Sequence, residues 1–584
     1  MNPPLSPWET YLERRPRSYA LISVLWLGFL AVVAFFFHLG TLGLTDKTEA
    51  LFVEVAREMW QTGDWVTPRW NGELFFDYPV GGYWLVALSF KLLGVNEVAA
   101  RLPVALLALA TVLGGFWVLK DYGLGRGEAD LPKPRRWLRA WLGAGILALN
   151  PAWLAWGRTS VTDMFLASAM TLCLLSFFLG YAQKSKLFYY LSPVWAGAAV
   201  LAKGPVGVLL PGLIIFCFLL YRGELWTVLR EANVGVMALI FCLVAAPWYI
   251  LATQANGMAF LYGFIGFSNF ERFTSVLYRH AGPWWFYLPW CFILLLPWSS
   301  FLPLALAQVQ PWRRGDWRRA PRSEQLGPFC CLWFLLILLF FSSAATKLPG
   351  YILPLVPGGA LLIALYWSQV WNGSSPRWPW GFWPSAGVNL LLLTALSAGA
   401  FLSPSLLENE PELAAALQGL GLPVILGGIL ALAALVFLGL LISPQGRRWL
   451  WGPNLGFWLG TLIFVIPTLG AVMDRWEQKP FREISQLTGQ AAQPGEPVWV
   501  MGYRRYSLLF YSGKTAVFLD DVPYGWELIQ PERDKNPSPT VLITGDREVM
   551  ERFNLQPGDY QLLGERGSFP LWRVSKETLR RRQS

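Results

Sequence analysis

Carboxylates and cations recur in this chain at the edges of apolar segments, where an ionised group is costly to hold and tends to serve a purpose. Asp46, Glu49, Arg57 and Asp77 fall in a long polar stretch, residues 40–97, between two apolar runs. Asp163 stands in WGRTSVTDMFL and Lys203 in LAKGPVG. Arg272 and His280 lie in NFERFTSVLYRHAGP, and Lys347 and Tyr351 in TKLPGYILP. Carboxylates of this kind can accept a proton from a hydroxyl nucleophile or orient it. Lysine and arginine can neutralise the charge that grows on a departing phosphate. Each residue also has a plainer reading. Asp163 fits the start of a helix after Thr162, Lys203 and Lys347 fit side chains reaching for an interface, and Arg57 with Glu54 and Glu58 fits a solvated face. What favours a site is that all of them map to one side of the membrane.

That side follows from the elements that must carry them. The chain has 584 residues, 54% hydrophobic and only 14% charged, with 33 tryptophans. A soluble protein carries about a quarter charged residues. The deficit comes from apolar runs of about 20 residues, each long enough to span a bilayer. Thirteen such segments begin near residues 19, 98, 139, 162, 188, 204, 232, 284, 328, 350, 381, 421 and 451. The fold class is therefore a polytopic α-helical membrane protein with about 13 transmembrane helices.

The net charge of +10 is a topology signal and not a nucleic-acid footprint. Arg14, Arg15 and Arg17, then Lys133, Arg135 and Arg136, then Lys184 and Lys186, then Arg222 and Arg230, then Arg313 to Arg322, then Arg447 and Arg448 fall in alternate loops. Basic loops of helical membrane proteins stay inside, which puts the N-terminus in the cytoplasm and the first long loop outside. The first apolar run has no small-residue cleavage site after it and reads as a retained anchor. All six cysteines lie in apolar runs and imply no disulfide framework.

The membrane part, with its amphipathic external loop 40–97, is expected to occupy residues 1–473. Within 474–584, DRWEQKPFREISQLTGQ reads as an amphipathic helix. The segments PVWVMG, SLLFYSG, TAVFLDD, TVLITGD and YQLLGERGSFPLWRVS then read as strands, with EVMERF as a short helix. This is a small external α/β domain, and Arg504 and Arg505 read as its solvated edge. No P-loop, HExxH or GxSxG motif is present, and no internal repeat supports a duplicated transporter.

A pocket at the lipid boundary suits a substrate with a long isoprenoid tail and a polar head. An exterior site has no access to ATP or nucleotide sugars, so an activated donor must already have crossed the membrane. TEALFVEVAREM, GDWVTPRWNGELFFDYPVGGYW, NEVAARLP, RTSVTDMFL, LAKGPVG and KLPGYILPLVP together resemble the bacterial GT-C membrane glycosyltransferases of the aminoarabinose transferase and protein O-mannosyltransferase superfamily. The resemblance covers most of residues 40–360. It implies transfer of a monosaccharide from a polyprenyl-phosphate donor, with inversion, to an envelope glycolipid of the lipid A kind or another acceptor, at the periplasmic face of the bacterial inner membrane. The alternatives are a protein O-mannosyltransferase-like enzyme and, further off, a polyprenyl-lipid flippase.

By the same resemblance, Asp46 or Glu49 and Asp163 are the catalytic acids, and Lys203, Arg272, Lys347, Tyr351 and Tyr78 hold the lipid phosphate. The sequence departs from the family pattern at three places. The Asp-Glu pair of the first loop reads Thr48-Glu49, with Asp46 two residues earlier. The Phe-Glu-Lys-Pro segment reads Phe76-Asp77-Tyr78-Pro79, so a phosphate-binding lysine has become Tyr78. The His-Asn pair ahead of Arg-Phe reads Ser268-Asn269. A divalent cation is the one cofactor left open, with Asp77 and His280 as its only two candidate ligands. The expected partners are the lipid-linked donor, a membrane-lipid or envelope acceptor and the bilayer, with no nucleic acid.

Overall fold

The computed structural model describes residues 7–124, 131–264, 282–372, 379–407, 410–502, 504–519, 537–552 and 555–583. The chain divides into two compact units. One comprises residues 1–37, 76–82 and 102–467, and the other 38–75, 83–101 and 468–584.

The first unit is helical. Among the described residues of the whole chain, nine helices are long and apolar enough to cross a membrane, or ten if the bent pair Tyr287–Leu294 and Trp298–Val309 is one span. This makes the chain a multi-pass membrane protein. The count falls short of thirteen for a physical reason. Lys133–Ala148, Lys186–Lys203 and Val206–Arg222 are helices of 16, 18 and 17 residues that begin or end on Lys or Arg. They are too short or too charged at their ends to qualify by length and apolarity. Thr162–Gln183 is the central helix, buried all round from Met164 to Tyr181, as a helix apolar on every side must be. Val234–Phe264 is mostly exposed, and its large side chains, Leu239, Leu243 and Ile250 among them, face outward.

The LAKGPVG segment folds the chain back on itself. Gly204 ends the Lys186–Lys203 helix at φ 84°, ψ −160°, a conformation that glycine adopts without cost. Pro205 then precedes the next helix, Val206–Arg222. A Cβ on Gly207 would lie 2.4 Å from the carbonyl carbon of Ala199 and 2.5 Å from the nitrogen of Val200. The two helices therefore meet backbone to backbone. Arg322 bonds Glu224 and Glu231, and Arg222 bonds Tyr181 and Glu224, so two basic loops are tied together.

The second unit contains the first loop's elements and a sheet domain. Thr48–Thr62 is a helix closed by Gly63 at φ 71°. Strands β1 (Arg69–Trp70) and β2 (Glu73–Leu74) form a hairpin over Asn71-Gly72, both at positive φ, the signature of a type I′ turn. Asn71 exchanges two hydrogen bonds with the backbone of Ala516. The remaining strands are β3 (Val498–Met501), β4 (Ala516–Leu519), β5 (Thr540–Gly545), β6 (Tyr560–Arg566) and β7 (Phe569–Ser575). They form one sheet in the order β4-β3-β5-β7-β6, with β4, β3 and β5 parallel and β7 antiparallel to β5 and β6. Val498 and Val500 pack on one side, and Trp499 and Met501 on the other. A strand covered on both faces reads as an unbroken apolar run.

Four of the expected strand segments are strands, and the last forms the β6–β7 hairpin. SLLFYSG is instead a helix, Ser507–Ser512, closed by Gly513 at φ 66°. Its Leu508, Leu509 and Phe510 are buried in succession, which the alternating faces of a half-covered strand do not allow. The stretch beginning DRWEQ is helical through Ala491, with Phe481, Ile484, Ser485 and Thr488 on its buried face.

Glu496 anchors the sheet domain. Its carboxylate accepts from Arg573 Nε and Nη2, both at 2.9 Å, from Thr540 Oγ1 at 2.6 Å and from Gln493 N at 3.0 Å. Burial alone would raise this carboxyl, but the four donors and the guanidinium charge outweigh it and hold its pKa below the ordinary value. A depressed carboxyl stabilises the fold above its unfolded value, and that contribution fades as pH falls through the folded value. Glu496→Gln is therefore expected to cost about 1–3 kcal/mol at neutral pH. The deficit against the parent should shrink below about pH 4, read by thermal unfolding of the full chain in detergent.

Candidate active site

Within the first unit, four of the residues expected to act together are brought together. Asp163 sits in the first turn of Thr162–Gln183. Lys203 is the last residue of the neighbouring helix Lys186–Lys203, which packs along it. Lys203 Nζ donates to Asp163 Oδ1 at 2.6 Å, with the side chains 11% and 19% exposed. The same ammonium lies 5.0 Å from the ring centre of Tyr351 and 5.8 Å from that of Tyr78. A cation this close to aromatic rings gains electrostatic attraction from them, more when water is scarce.

Local sequence explains the convergence. A Cβ on Gly81 would lie 2.8 Å from the Leu201 carbonyl oxygen, so only glycine lets the DYPVGG segment, with Tyr78, come this close to the end of the Lys203 helix. Tyr351 is presented by the 3-10 turn Pro349–Leu355, which packs on Thr162–Gln183. Asp77, beside Tyr78, is half-buried.

Lys347 lies elsewhere in its bonding. Its Nζ donates to the carbonyls of Ser342 and Ala344 at 2.8 Å each and to that of Phe341 at 3.5 Å. These are the terminal carbonyls of the helix Leu326–Ser343. A lysine there satisfies orphan acceptors and complements the helix dipole. The hydroxyl of Tyr287, a residue not singled out from sequence, bonds both the nitrogen and the oxygen of Leu348 and so braces the same segment. Arg272 and His280 lie outside the described residues. Among the described residues no three His, Cys, Asp or Glu side chains are grouped to hold a metal ion.

The first-loop acids belong to the second unit. Glu49 is 1% exposed, and its two oxygens take both Nε and Nη2 of Arg101 at 2.8 Å and the nitrogen and hydroxyl of Thr45. Burial works to raise this carboxyl, yet Arg101 and the Thr45 bonds hold it below its ordinary range. Arg101 also donates to the carbonyls of Leu39, Leu42 and Gly43, so the pair fastens the start of the loop. Asp46 accepts from the nitrogen and hydroxyl of Ser507, at 2.7 and 2.8 Å. Burial pushes its carboxyl upward despite those bonds. Arg57 pairs with Glu54 through Nε at 2.7 Å and also reaches Gln61, all on the helix Thr48–Thr62. Arg505 lies over the rings of Phe481 and Phe569, 5.1 and 4.7 Å from their centres.

The Arg101 and Ser507 partners were missed from sequence because each lies more than fifty residues from its acid. The one available signal was the pairing of a lone buried-type arginine in NEVAARLP with an acid in a loop nearby in the chain. The geometry separates two roles. Glu49→Gln leaves the Arg101 guanidinium buried without its counter-charge and is expected to cost about 3 kcal/mol of stability. Asp163→Asn, at a pair whose side chains are 11% and 19% exposed, should cost less, about 1–2 kcal/mol. Thermal unfolding of the two variants side by side checks this.

Comparison with known proteins agrees with this architecture. Residues 135–250 match the family model of dolichyl-phosphate-mannose-protein mannosyltransferases. Residues 491–584 match that of the C-terminal domain of cyanobacterial RgtA-type glycosyltransferases. The chain is 27% identical over 439 residues to undecaprenyl phosphate-alpha-4-amino-4-deoxy-L-arabinose arabinosyl transferase 2 of Pseudomonas fluorescens, covering 73% of this chain and 68% of the relative. It is 30% identical over 380 residues to the corresponding transferase of Pseudomonas aeruginosa, covering 64% of each. The chain thus spans about two thirds of the length of these relatives. The crystal structure of ArnT from Cupriavidus metallidurans bound to undecaprenyl phosphate superposes with a TM-score of 0.73 at 21% identity, over 95% of this chain and 98% of that one, which establishes a shared fold. The chain is thus similar in sequence to polyprenyl-phosphate-dependent membrane glycosyltransferases and shares the GT-C fold of ArnT.

Proposed function

We propose that this protein transfers a monosaccharide from a polyprenyl-phosphate donor, undecaprenyl phosphate being the carrier, to a glycolipid acceptor of the lipid A kind at the outer face of the bacterial inner membrane. The observation that carries the reading is the Lys203–Asp163 pair, held between Tyr78 and Tyr351 at the ends of two packed apolar helices. It supplies a cation for a phosphate and, beside it, a carboxylate for an acceptor. The relatives named for undecaprenyl-phosphate aminoarabinose transfer support the donor class. The alternating basic loops support a cytoplasmic N-terminus and an exterior position for the loop 40–97 and for the domain 474–584.

In this mechanism an acceptor oxygen attacks the anomeric carbon from the side opposite the phosphate. The new glycosidic bond forms as the bond from the anomeric carbon to the phosphate oxygen breaks, and polyprenyl phosphate leaves with the electron pair. Lys203 neutralises the charge appearing on that phosphate, and Arg272, outside the described residues, is a second candidate. Where the acceptor is a hydroxyl, Asp163 takes its proton. Where it is a phosphate, no base is needed and Asp163 orients it. Asp46 and Glu49, with their bonds to Ser507 and Arg101, are assigned the task of holding the first loop in shape. Lys347 is assigned to bracing the segment that presents Tyr351.

The test is transfer from undecaprenyl-phosphate aminoarabinose and related lipid-linked sugars to lipid A by the purified full chain. Asp163→Asn should lower the rate about 100-fold or more for a hydroxyl acceptor. Lys203→Met should weaken both binding and turnover. Full activity of both variants, or no transfer by the parent with any lipid-linked donor, would overturn the reading.

A further inference from the structure

In the structure the two groups assigned to opposite halves of the reaction occupy each other. Lys203 Nζ is 2.6 Å from Asp163 Oδ1, and the two rings of Tyr78 and Tyr351 flank the same ammonium. An ammonium has three donors, and a lysine stem of four methylene groups can swing its head by several ångströms. Lys203 ends its helix, and the residue after it leaves helical geometry at Gly204, so no further helical turn restrains the side chain on that side. Asp163 stands in the first turn of its own helix.

We infer that the Lys203–Asp163 ion pair is an internal competitor of the donor phosphate: arrival of the phosphate draws Lys203 away from Asp163 and leaves that carboxylate open to the acceptor, and re-formation of the pair helps expel the polyprenyl phosphate product. This rests on the function proposed above and adds the order of events within it. The charge balance is consistent. A polyprenyl-phosphate sugar is a phosphodiester with one negative charge, which can replace the single charge of Asp163 beside Lys203. Cleavage turns it into a monoester with up to two charges; passage of the proton taken by Asp163 to that monoester lowers its charge to one and returns Asp163 to the carboxylate that can pair with Lys203 again. The tyrosine rings attract the ammonium whichever anion it pairs with, since a ring face attracts a cation without supplying a counter-charge. The acid therefore acquires its working state only when donor is bound, which protects an acceptor-side base from idling in the empty site.

Two sites that exchange one cation are linked by a coupling free energy, and removing one competitor must strengthen the other. Asp163→Asn keeps the shape and removes the charge. It should bind undecaprenyl phosphate in detergent micelles about fivefold or more tighter than the parent, with slower dissociation, although it transfers sugar poorly. In a Lys203→Met background the same substitution should leave the affinity unchanged, the pattern of a closed double-mutant cycle. Unchanged or weaker binding by Asp163→Asn overturns the inference, and so does tightening that persists without Lys203.

A measurement on the unmodified protein covers the case in which the variant does not fold. A water-soluble carbodiimide joins a carboxylate to an amine in contact, expelling a urea, and peptide mass spectrometry reads the Asp163–Lys203 amide. Saturating undecaprenyl phosphate should suppress this cross-link several-fold. An undiminished cross-link in protein shown to hold the lipid overturns the inference. Failure of the unmodified protein to bind undecaprenyl phosphate at all would instead sink the functional reading beneath it.

Discussion

A lysine ammonium at the mouth of an apolar helix bundle needs a negative partner, and the rest of the first unit is arranged so that one is there. Removing an ion from water costs several kcal/mol unless charge and hydrogen bonds replace the solvent. Asp163 meets that need for Lys203 at 2.6 Å, and the rings of Tyr78 and Tyr351 shield what remains. The glycines of LAKGPVG and DYPVGG, the packing of Thr162–Gln183 against Lys186–Lys203, and the turn carrying Tyr351 all serve to bring these four side chains to one point. A phosphate fits the same requirement that Asp163 fits, which is why an ion pair can also be a binding site.

The second unit uses charge differently. Glu49 and Arg101 satisfy every strong donor and acceptor within reach, and the loop carbonyls of residues 39, 42 and 43 share in it. Glu496 and Arg573 do the same for the sheet. Such closed pairs specify one packing of a segment. The Lys203 pair, with two partly exposed members and one direct bond, is open by comparison. A saturated pair holds structure and an unsaturated one leaves capacity for a ligand.

Much of this was legible in the sequence. Runs of apolar residues announced the spanning helices because nothing else satisfies a backbone in lipid. Apolar stretches bounded by Gly and Pro announced the strands of the terminal sheet. Asp163, Lys203, Tyr78 and Tyr351, expected from their motifs to act at one place, do lie side by side. What was not legible required distance information. Lys347 reads equally as a phosphate ligand and as a helix cap until the carbonyls of Ser342 and Ala344 are placed beside it. SLLFYSG has the composition of a strand, and its helical state depends on packing that buries three successive side chains. Glu49 reads as a free acid until Arg101, fifty-two residues later, is seen to close on it. The span count among the described residues fell because length and apolarity do not recognise short helices with charged ends.

The contact at Gly207 has a consequence for how the chain can change over time. At Gly207 the two helices around LAKGPVG touch through main-chain atoms, at Ala199 and Val200. Main-chain atoms are the same whatever residues surround them. The helix end that carries Lys203 is thus insulated from drift in the lipid-facing belt, where Leu, Val, Ile and Phe can be exchanged without moving it. A helix end fixed by backbone contact leaves most of the surrounding sequence free to wander while Lys203 keeps its place on the helix.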